Sequence, residues 1–312
     1  MNDTFHWLPD AASTSAQSYD RLFFSIIGLL AAVALGVCAV MLWFAWKYRA
    51  GSAADRTLPP STNRRLEIGW TLTPLAIFLG IYAWAAYDYA GLHDTPAGAM
   101  PAFVLAKQWM WKLQYPDGRR EIDTLHVPLG KPVRLVMTSQ DVIHSFFVPA
   151  FRIKQDVVPG RYTTLWFTPT KPGEYLLTCA EYCGTQHAEM HGRIVVMRPA
   201  EYQRWLAAQP AAPGLASEGY ALFRKLGCSG CHDPRSSVHA PDLDSLIGRR
   251  VHLQDGRTLV ADDQYVRDSI LLPRKDVVAG FAPIMPAFAG QVSEEDIRAL
   301  IEYIRSTAAK ER

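Results

Sequence analysis

Charged side chains are missing from two long stretches near the start of the chain. Residues 22–46 and 68–87 contain no Asp, Glu, Lys or Arg. Each run is long enough to cross the hydrocarbon core of a bilayer as an α-helix. Buried helices of a soluble protein are the alternative, but two adjacent runs of this length disfavour it. We therefore predict a two-helix transmembrane hairpin with helices over 22–46 and 68–88.

A large net charge is also missing, because the formal charge of the whole chain is only +2. This balance gives no support for binding to nucleic acid. The local balance is uneven, however. The predicted loop 47–67 is basic, whereas the first twenty residues carry Asp but no Lys or Arg. Since basic loops stay in the cytoplasm, the segment 1–21 and everything after about residue 88 are expected outside.

Cysteine is scarce, with five in the chain. Two lie in the segment 179–190, two lie in the segment 228–232, and Cys38 falls inside the first apolar run, where we interpret it as a small packing residue. This distribution leaves no cysteine for a separate structural disulfide.

The segment 179–190 contains a set of soft ligands. Cys179, Cys183, His187 and Met190 follow one another there, and His144 lies upstream. A mononuclear blue-copper site needs two His, one Cys and a weak Met, which leaves one thiolate over. Two thiolates can instead bridge two copper ions, each completed by one His.

Other interpretations of this segment stay open. Structural zinc, a disulfide between Cys179 and Cys183, and a single copper ion are the alternatives to a dinuclear copper site. In the dinuclear interpretation Met190 and a backbone carbonyl, that of Glu181, serve as weak outer ligands. His191 is interpreted as a surface residue or as a hydrogen-bond donor to a ligand.

A second redox motif follows. Cys228-Ser-Gly-Cys231-His232 is the attachment motif for a c-type haem, with two thioether bonds and His232 on the iron. Zinc or a thiol redox pair is the alternative for Cys-x-x-Cys alone. After Met197 the chain has one methionine, Met285, between prolines, and it is the predicted distal ligand. The rival distal ligands are His239 and His252.

The remaining chain divides by pattern. Short β-rich runs separated by turn residues predict a sandwich or barrel, with strands over 103–105, 133–138, 163–168, 174–178 and 193–197. A linker is predicted over 201–214, where Ala, Pro and Gly dominate the end. Beyond it, Ser293-Glu-Glu-Asp296 resembles a capping box and precedes an apolar stripe at helical spacing.

Taken together, these residues resemble cytochrome c oxidase subunit II in the form with a fused C-terminal cytochrome c domain, as in caa-type haem–copper oxidases. The resemblance is carried by segments 66–74, 108–112, 141–146, 154–161, 179–190, 228–232 and 285–286. It implies a multidomain chain: the hairpin, an all-β cupredoxin-like Greek-key sandwich over 100–200 with dinuclear copper, the linker 201–214, and a small all-α cytochrome c domain over 215–312.

The resemblance also implies a function. The chain would receive electrons from cytochrome c or another donor and pass them through covalent haem c and the dinuclear copper A centre to the haem–copper site of subunit I. Subunit III is a further expected partner in this proton-pumping oxidase. The location would be a bacterial inner membrane, with both termini and the redox domains on the periplasmic side. Quinol-oxidising relatives lack the copper ligands, so the full set here argues against quinol as the donor.

Site residues follow from the same resemblance. The implied copper ligands are His144, Cys179, Glu181 through its carbonyl, Cys183, His187 and Met190. The Glu181 carboxylate would also face a magnesium ion at the contact with subunit I. Trp109 resembles the tryptophan where electrons enter, with the fused haem docked over it, and its alternative is a packing aromatic. Glu67 resembles the glutamate at the mouth of a proton pathway, and its alternative is an interfacial charge balancing Arg64 and Arg65.

Arg152 and Arg161 are expected to pair with acidic loops or to lie beside the haem propionates of subunit I. Two other functions match part of this pattern. A nitrous oxide reductase uses a similar copper loop but needs more histidines and no membrane spans. A membrane-anchored redox sensor or copper carrier would work without an oxidase.

Overall fold

Two long helices form the N-terminal part of the computed structural model, which describes residues 8–57, 62–210 and 212–308. Helix α1 spans Thr14–Lys47 and helix α2 spans Arg64–His93. Each begins at a side-chain cap, Ser13 for α1 and Asn63 for α2, which accepts a hydrogen bond from the first turn. Both helices are longer than the apolar runs, and both are long and apolar enough to cross a membrane. The start of the predicted segment 1–21 and part of the loop 47–67 lie outside the described residues.

A β-sandwich follows the hairpin. Its ten strands are β1 (Met100–Lys107), β2 (Met110–Gln114), β3 (Arg120–Ile122), β4 (Thr124–Pro128), β5 (Val133–Ser139), β6 (His144–Val148), β7 (Ile153–Val157), β8 (Thr163–Phe167), β9 (Gly173–Cys179) and β10 (His191–Met197). One sheet has the order β3-β2-β1-β5-β8, and the other has the order β4-β10-β9-β6-β7. The predicted sandwich is therefore confirmed, and its core is filled by large buried side chains that include Trp111, Phe146 and Phe167.

The first membrane helix is joined to the sandwich at its N-terminal end. Ser13 is fully buried, and its hydroxyl donates to the carbonyl of Phe151 at 2.8 Å. The Arg152 guanidinium pairs with Asp20 of α1 at 3.0 Å. Arg152 thus bonds an acidic residue of its own chain, on the helix rather than on a loop. These contacts fix the sandwich at the N-terminal end of α1.

The predicted linker 201–214 is partly helical. Helix α3 spans Pro199–Ala208, with Pro at its first position, where the missing N–H costs nothing. Trp205 of α3 stacks on His126 with ring centroids 4.4 Å apart. Gln209, directly after α3, and Gly214 have extended backbones, and the amide of Leu215 donates to the carbonyl of Pro116 at 3.1 Å. The connection therefore contacts the sandwich near both of its ends.

The C-terminal part is helical, with one short hairpin that was not predicted. Its elements are α4 (Leu215–Lys225), α5 (Ser229–His232), β11 (Arg250–His252), β12 (Thr258–Val260), α6 (Asp263–Leu271) and α7 (Glu294–Thr307). The capping box predicted at Ser293 is present, with reciprocal hydrogen bonds to Asp296. Helices α4 and α7 pack closely at Gly219, where a side chain would overlap the carbonyl of Ala299.

Candidate functional site

The segment predicted to bind copper is the loop between β9 and β10. Strand β9 ends at Cys179, and the chain returns through a single 3₁₀ turn, His187–Glu189, before β10 begins at His191. The amide of Cys179 donates to the carbonyl of Met190 at 3.1 Å, which closes the loop. His144 begins the neighbouring strand β6, so the sheet brings its imidazole to the same end.

Five of the predicted ligand side chains converge there. The sulfurs of Cys179 and Cys183 are 3.7 Å apart, which is too far for a disulfide bond. Each thiol lies beside one imidazole: the Nδ1 of His144 is 4.0 Å from the Cys179 sulfur, and the Nδ1 of His187 is 3.4 Å from the Cys183 sulfur. The Met190 sulfur is 3.9 Å from that of Cys183. His144, Cys179 and Cys183 are close enough to hold one metal ion.

The sixth predicted ligand is a backbone group. The carbonyl oxygen of Glu181 lies 3.2 Å from the Cys179 sulfur, whereas the side chain of Glu181 is exposed. Two central thiols, one imidazole for each, a thioether and a carbonyl form a donor set that suits copper. His191 is exposed at the start of β10.

The surroundings of the two thiols shift their pKa values in opposite directions. Burial opposes ionisation of Cys179, but hydrogen bonds from His144 and from the backbone of Ser145 outweigh it and lower the pKa of this thiol to about 6. Burial and the neighbouring Cys179 raise the pKa of Cys183 to about 12. Two thiolates this close repel each other in the protein alone, so cations at the site would stabilise the doubly ionised pair.

Asp141 supports this site, a role that sequence reasoning did not assign to it. Its Oδ1 lies 2.8 Å from the Nε2 of His144 and accepts from the amide of Val142 at 2.7 Å, while its Oδ2 accepts from the amide of Gln108 at 2.7 Å. Partial burial opposes ionisation, but these donors lower the pKa of Asp141 below its ordinary value. The carboxylate thereby orients the imidazole, with Nδ1 turned towards Cys179. In the sequence, the spacing Asp-x-x-His is the pattern that indicates this contact between Asp141 and His144.

Trp109 touches the loop from the β1–β2 turn. Its indole N–H donates to the carbonyl of Cys183 at 3.2 Å, and the side-chain amide of Gln108 donates to the same oxygen at 2.8 Å. Gly184 follows with φ +121, and a side chain there would press on both residues. Trp109 is partly buried against the sandwich core, so it both packs and contacts the loop.

Glu67 belongs to a different element, the helix α2. It occupies the first turn of α2, where negative charge favours a helix start. Within the described ranges its carboxylate makes no ion pair with Arg64 or Arg65.

The second motif lines a cavity in the C-terminal part. Cys228 and Cys231 lie on its wall together with His232 and Met285, and most other lining side chains are apolar. A large apolar cofactor with one metal ligand on each side fits such a cavity. The Nδ1 of His232 lies 2.9 Å from the carbonyl of Pro241, which leaves its Nε2 for a metal.

The rival distal ligands are placed differently. His239 lines the cavity and stacks on Phe281, with ring centroids 4.5 Å apart. His252 lies on β11, where its Nδ1 is 2.9 Å from the Thr258 hydroxyl, and it is not on the cavity wall. Of the two, only His239 shares the cavity with Met285.

Comparisons with known proteins cover nearly the whole chain. Residues 2–86 match the family described as cytochrome c oxidase subunit II, transmembrane domain, and residues 119–198 match the periplasmic domain of the same subunit. Residues 216–308 match the cytochrome c family.

Curated relatives carry the name cytochrome c oxidase subunit 2. The one from Thermostichus vulcanus is 32% identical, covering 67% of this chain and 82% of the relative. The one from Alkalihalophilus pseudofirmus is 29% identical, covering 94% of this chain and 88% of the relative. A solved structure, the periplasmic domain of subunit II from Bradyrhizobium japonicum, is 30% identical and covers 36% of this chain and 95% of its own, with a TM-score of 0.35.

Copper and haem are the cofactors that these two families imply, and subunit I of a haem–copper oxidase is the implied partner. The chain belongs to the cytochrome c oxidase subunit II family, in the form that carries a C-terminal cytochrome c domain, and is therefore a two-pass membrane subunit with an electron-accepting role in an oxidoreductase complex.

Proposed function

We propose that this subunit takes electrons from a cytochrome c and delivers them to the oxygen-reducing site of subunit I in a proton-pumping oxidase. When bound, haem c and dinuclear copper would supply one-electron carriers of suitable potential. The observation that carries the proposal is the convergence of two free thiols, one imidazole and a thioether from the β9–β10 loop with the imidazole of His144 from strand β6. A zinc site would leave the Met190 thioether without a purpose.

Individual residues have distinct tasks in this proposal. Cys179, Cys183, His144 and His187 would hold the copper ions, with Met190 and the carbonyl of Glu181 as weaker ligands. The residues proposed to hold the haem are Cys228 and Cys231 through thioether bonds and His232 and Met285 on the iron.

The surroundings keep this donor set rigid, which favours fast electron exchange. The carbonyl of Cys183 accepts from both Gln108 and Trp109, so the middle of the loop is fixed from the β1–β2 turn. Asp141 holds the His144 ring from the other side. Ligands that cannot move far cost little rearrangement when the charge of a bound metal changes.

Trp109 is the residue proposed to receive electrons for this loop, since its indole N–H donates a hydrogen bond to the carbonyl of Cys183 in the loop. Glu67 is proposed as a proton-pathway residue, supported by its place in the first turn of α2, at the end of the basic segment 47–67. A magnesium ion bound by the Glu181 carboxylate is also proposed, because Glu181 is an exposed residue of the β9–β10 loop.

Orientation in the membrane follows from charge. The loop between α1 and α2 is basic, so we place it in the cytoplasm of a bacterial cell and the sandwich and cytochrome c domain in the periplasm. Subunit III is a further proposed partner. A redox sensor or copper carrier acting alone is disfavoured by membership of the oxidase family.

The test is a pair of imidazole variants in the complex purified through this chain. His187→Asn should leave the haem reducible by the donor but slow its reoxidation in oxygen at least about 10²-fold, because one ion loses its nitrogen ligand. His191→Asn, four residues away and exposed, is the matched control and should behave as the natural protein. Unchanged oxygen uptake in His187→Asn would refute the relay.

A further inference from the structure

The cytochrome c domain rests on the outer face of the sheet β3-β2-β1-β5-β8. Four buried side chains from both domains form a small apolar cluster there: Phe103 and Val136 from the sandwich, Leu215 and Ala299 from the cytochrome c domain. Each of the four is between 0% and 6% exposed, and a cavity lined by Phe103, Tyr162 and Arg298 lies beside them. The cytochrome c domain therefore covers part of this sheet face.

A buried cation lies at the centre of this contact. Arg298 of α7 is 4% exposed, and its guanidinium carbon is 4.6 Å from the ring centroid of Phe103 and 4.3 Å from that of Tyr162. Both rings belong to the sandwich, so its side of the contact holds the guanidinium between two aromatic faces. The charge is balanced within the cytochrome c domain by Asp263 at 2.8 Å.

Polar contacts surround this centre and set the orientation. Lys112 pairs with Glu295 at 2.8 Å, and Arg120 pairs with Glu218 at 2.8 Å. The side-chain oxygen of Gln264 accepts from the amide of Tyr162 at 2.9 Å. These bonds join β2, β3 and the residue before β8 to helices α7, α4 and α6, so a rotation of the domain would break them.

Helix α7 presents different faces to the sandwich and to the cavity. Arg298 and Ala299 face the sandwich, whereas Leu300 and Ile304 line the cavity that carries the haem motif. Docking through α7 therefore also fixes where that cavity lies relative to the sandwich. On the sandwich side the contact uses residues of β1, β2, β3 and β5 together with Tyr162 before β8, whereas Trp109 lies in the β1–β2 turn.

We propose that this α7 face is a dedicated docking surface for the sandwich of the same chain, with Arg298 clamped by Phe103 and Tyr162 as the positioning contact. The domain is then held in one orientation instead of moving freely on a tether. Since only protein contacts carry this inference, it can fail while the electron-transfer proposal stands.

Two backbone amides report on docking directly. Tyr162 donates its amide to a side chain of the other domain, and Leu215 donates to the carbonyl of Pro116. As the first residue of α4, Leu215 has no partner for its amide within its own helix. Hydrogen exchange of the full chain in detergent should therefore show both amides protected.

The decisive variant is Phe103→Ala, which removes one aromatic face from the sandwich side. Exchange at the Tyr162 amide should rise at least about tenfold, because the clamp and the buried ring are both lost. The covalent haem content should stay unchanged, which would show that the cytochrome c domain remains folded. Arg193→Ala is the control, since Arg193 makes an exposed ion pair on the other sheet.

A second variant keeps the test decisive if Phe103→Ala fails to fold. Gln264→Ala removes both the bond to Tyr162 and the bond to the carbonyl of Gly160, and it should raise exchange at the Leu215 amide severalfold. Unprotected amides in the natural chain, or exchange unaffected by both variants, would overturn the proposal. Protection that is lost on dilution would place the docked domain on a second copy and would overturn it as well.

Discussion

Replacing Asp141 with Asn tests whether the copper loop depends on a carboxylate that is not itself a ligand. The Oδ1 of Asp141 meets His144 and the amide of Val142, and its Oδ2 accepts from the amide of Gln108. An amide has one oxygen, so its NH₂ group must face at least one of these N–H donors. The substitution keeps the size of the side chain and removes only the match of acceptors to donors.

The magnitude follows from that mismatch. One donor left without an acceptor costs about 1–3 kcal/mol. If that cost falls on His144 or on the turn that fixes Cys183, copper affinity should drop about 10- to 100-fold, the range found for residues that orient metal ligands. Competition against a copper chelator of known affinity measures this directly.

A neighbouring carboxylate provides the control. Asp156 accepts from the hydroxyl of Ser145 at 2.8 Å, one residue beyond His144, and an Asn oxygen can accept the same bond. Asp156→Asn should therefore bind copper as the natural chain does. Equal copper affinities for the two variants would show that Asp141 does not position His144.

Two further predictions concern stability. Burial raises the pKa of Tyr162 to about 12, so its neutral phenol stabilises the folded protein fully below pH 10, and this contribution is lost as the pH rises towards 12. Urea midpoints of Tyr162→Phe should therefore fall less steeply between pH 10 and pH 12 than those of the natural chain. Parallel curves for the two proteins would contradict this pKa for Tyr162. Gly219→Ala should lower the stability of the cytochrome c domain by about 1–3 kcal/mol, because a side chain there overlaps α7. The comparison is Gly214→Ala at the N-cap of the same helix, where a side chain meets only an ordinary contact. Thermal unfolding followed at the haem absorbance compares the two variants, and equal midpoints would show that the helices can separate at little cost.

Local motifs could be predicted from the sequence because each depends on a few neighbouring residues. The loop from Cys179 to Met190 lies between two strands as expected, since β9 contains Tyr175 and Thr178 and β10 contains a β-branched run, residues 194–196. The capping box at Ser293 is also local. Strand β6 was missed, because it is buried on both faces and its residues show no alternation of polar and apolar side chains.

Long-range contacts could not be predicted in the same way. The composition of 201–214 indicates a tether, but α3 packs on the sandwich through the ring of Trp205. Arg298 lies beside the apolar stripe of α7, where a charged residue is normally solvated, and its burial depends on two aromatic rings more than a hundred residues away. Such matches between distant surfaces leave no periodic signal in either segment.

The metal content of the intact chain tests the central claim most directly. Elemental analysis combined with electron paramagnetic resonance should find two copper ions that share one unpaired electron, together with one covalently bound haem per chain. Zinc in the loop between β9 and β10, or no metal there at all, would contradict the account.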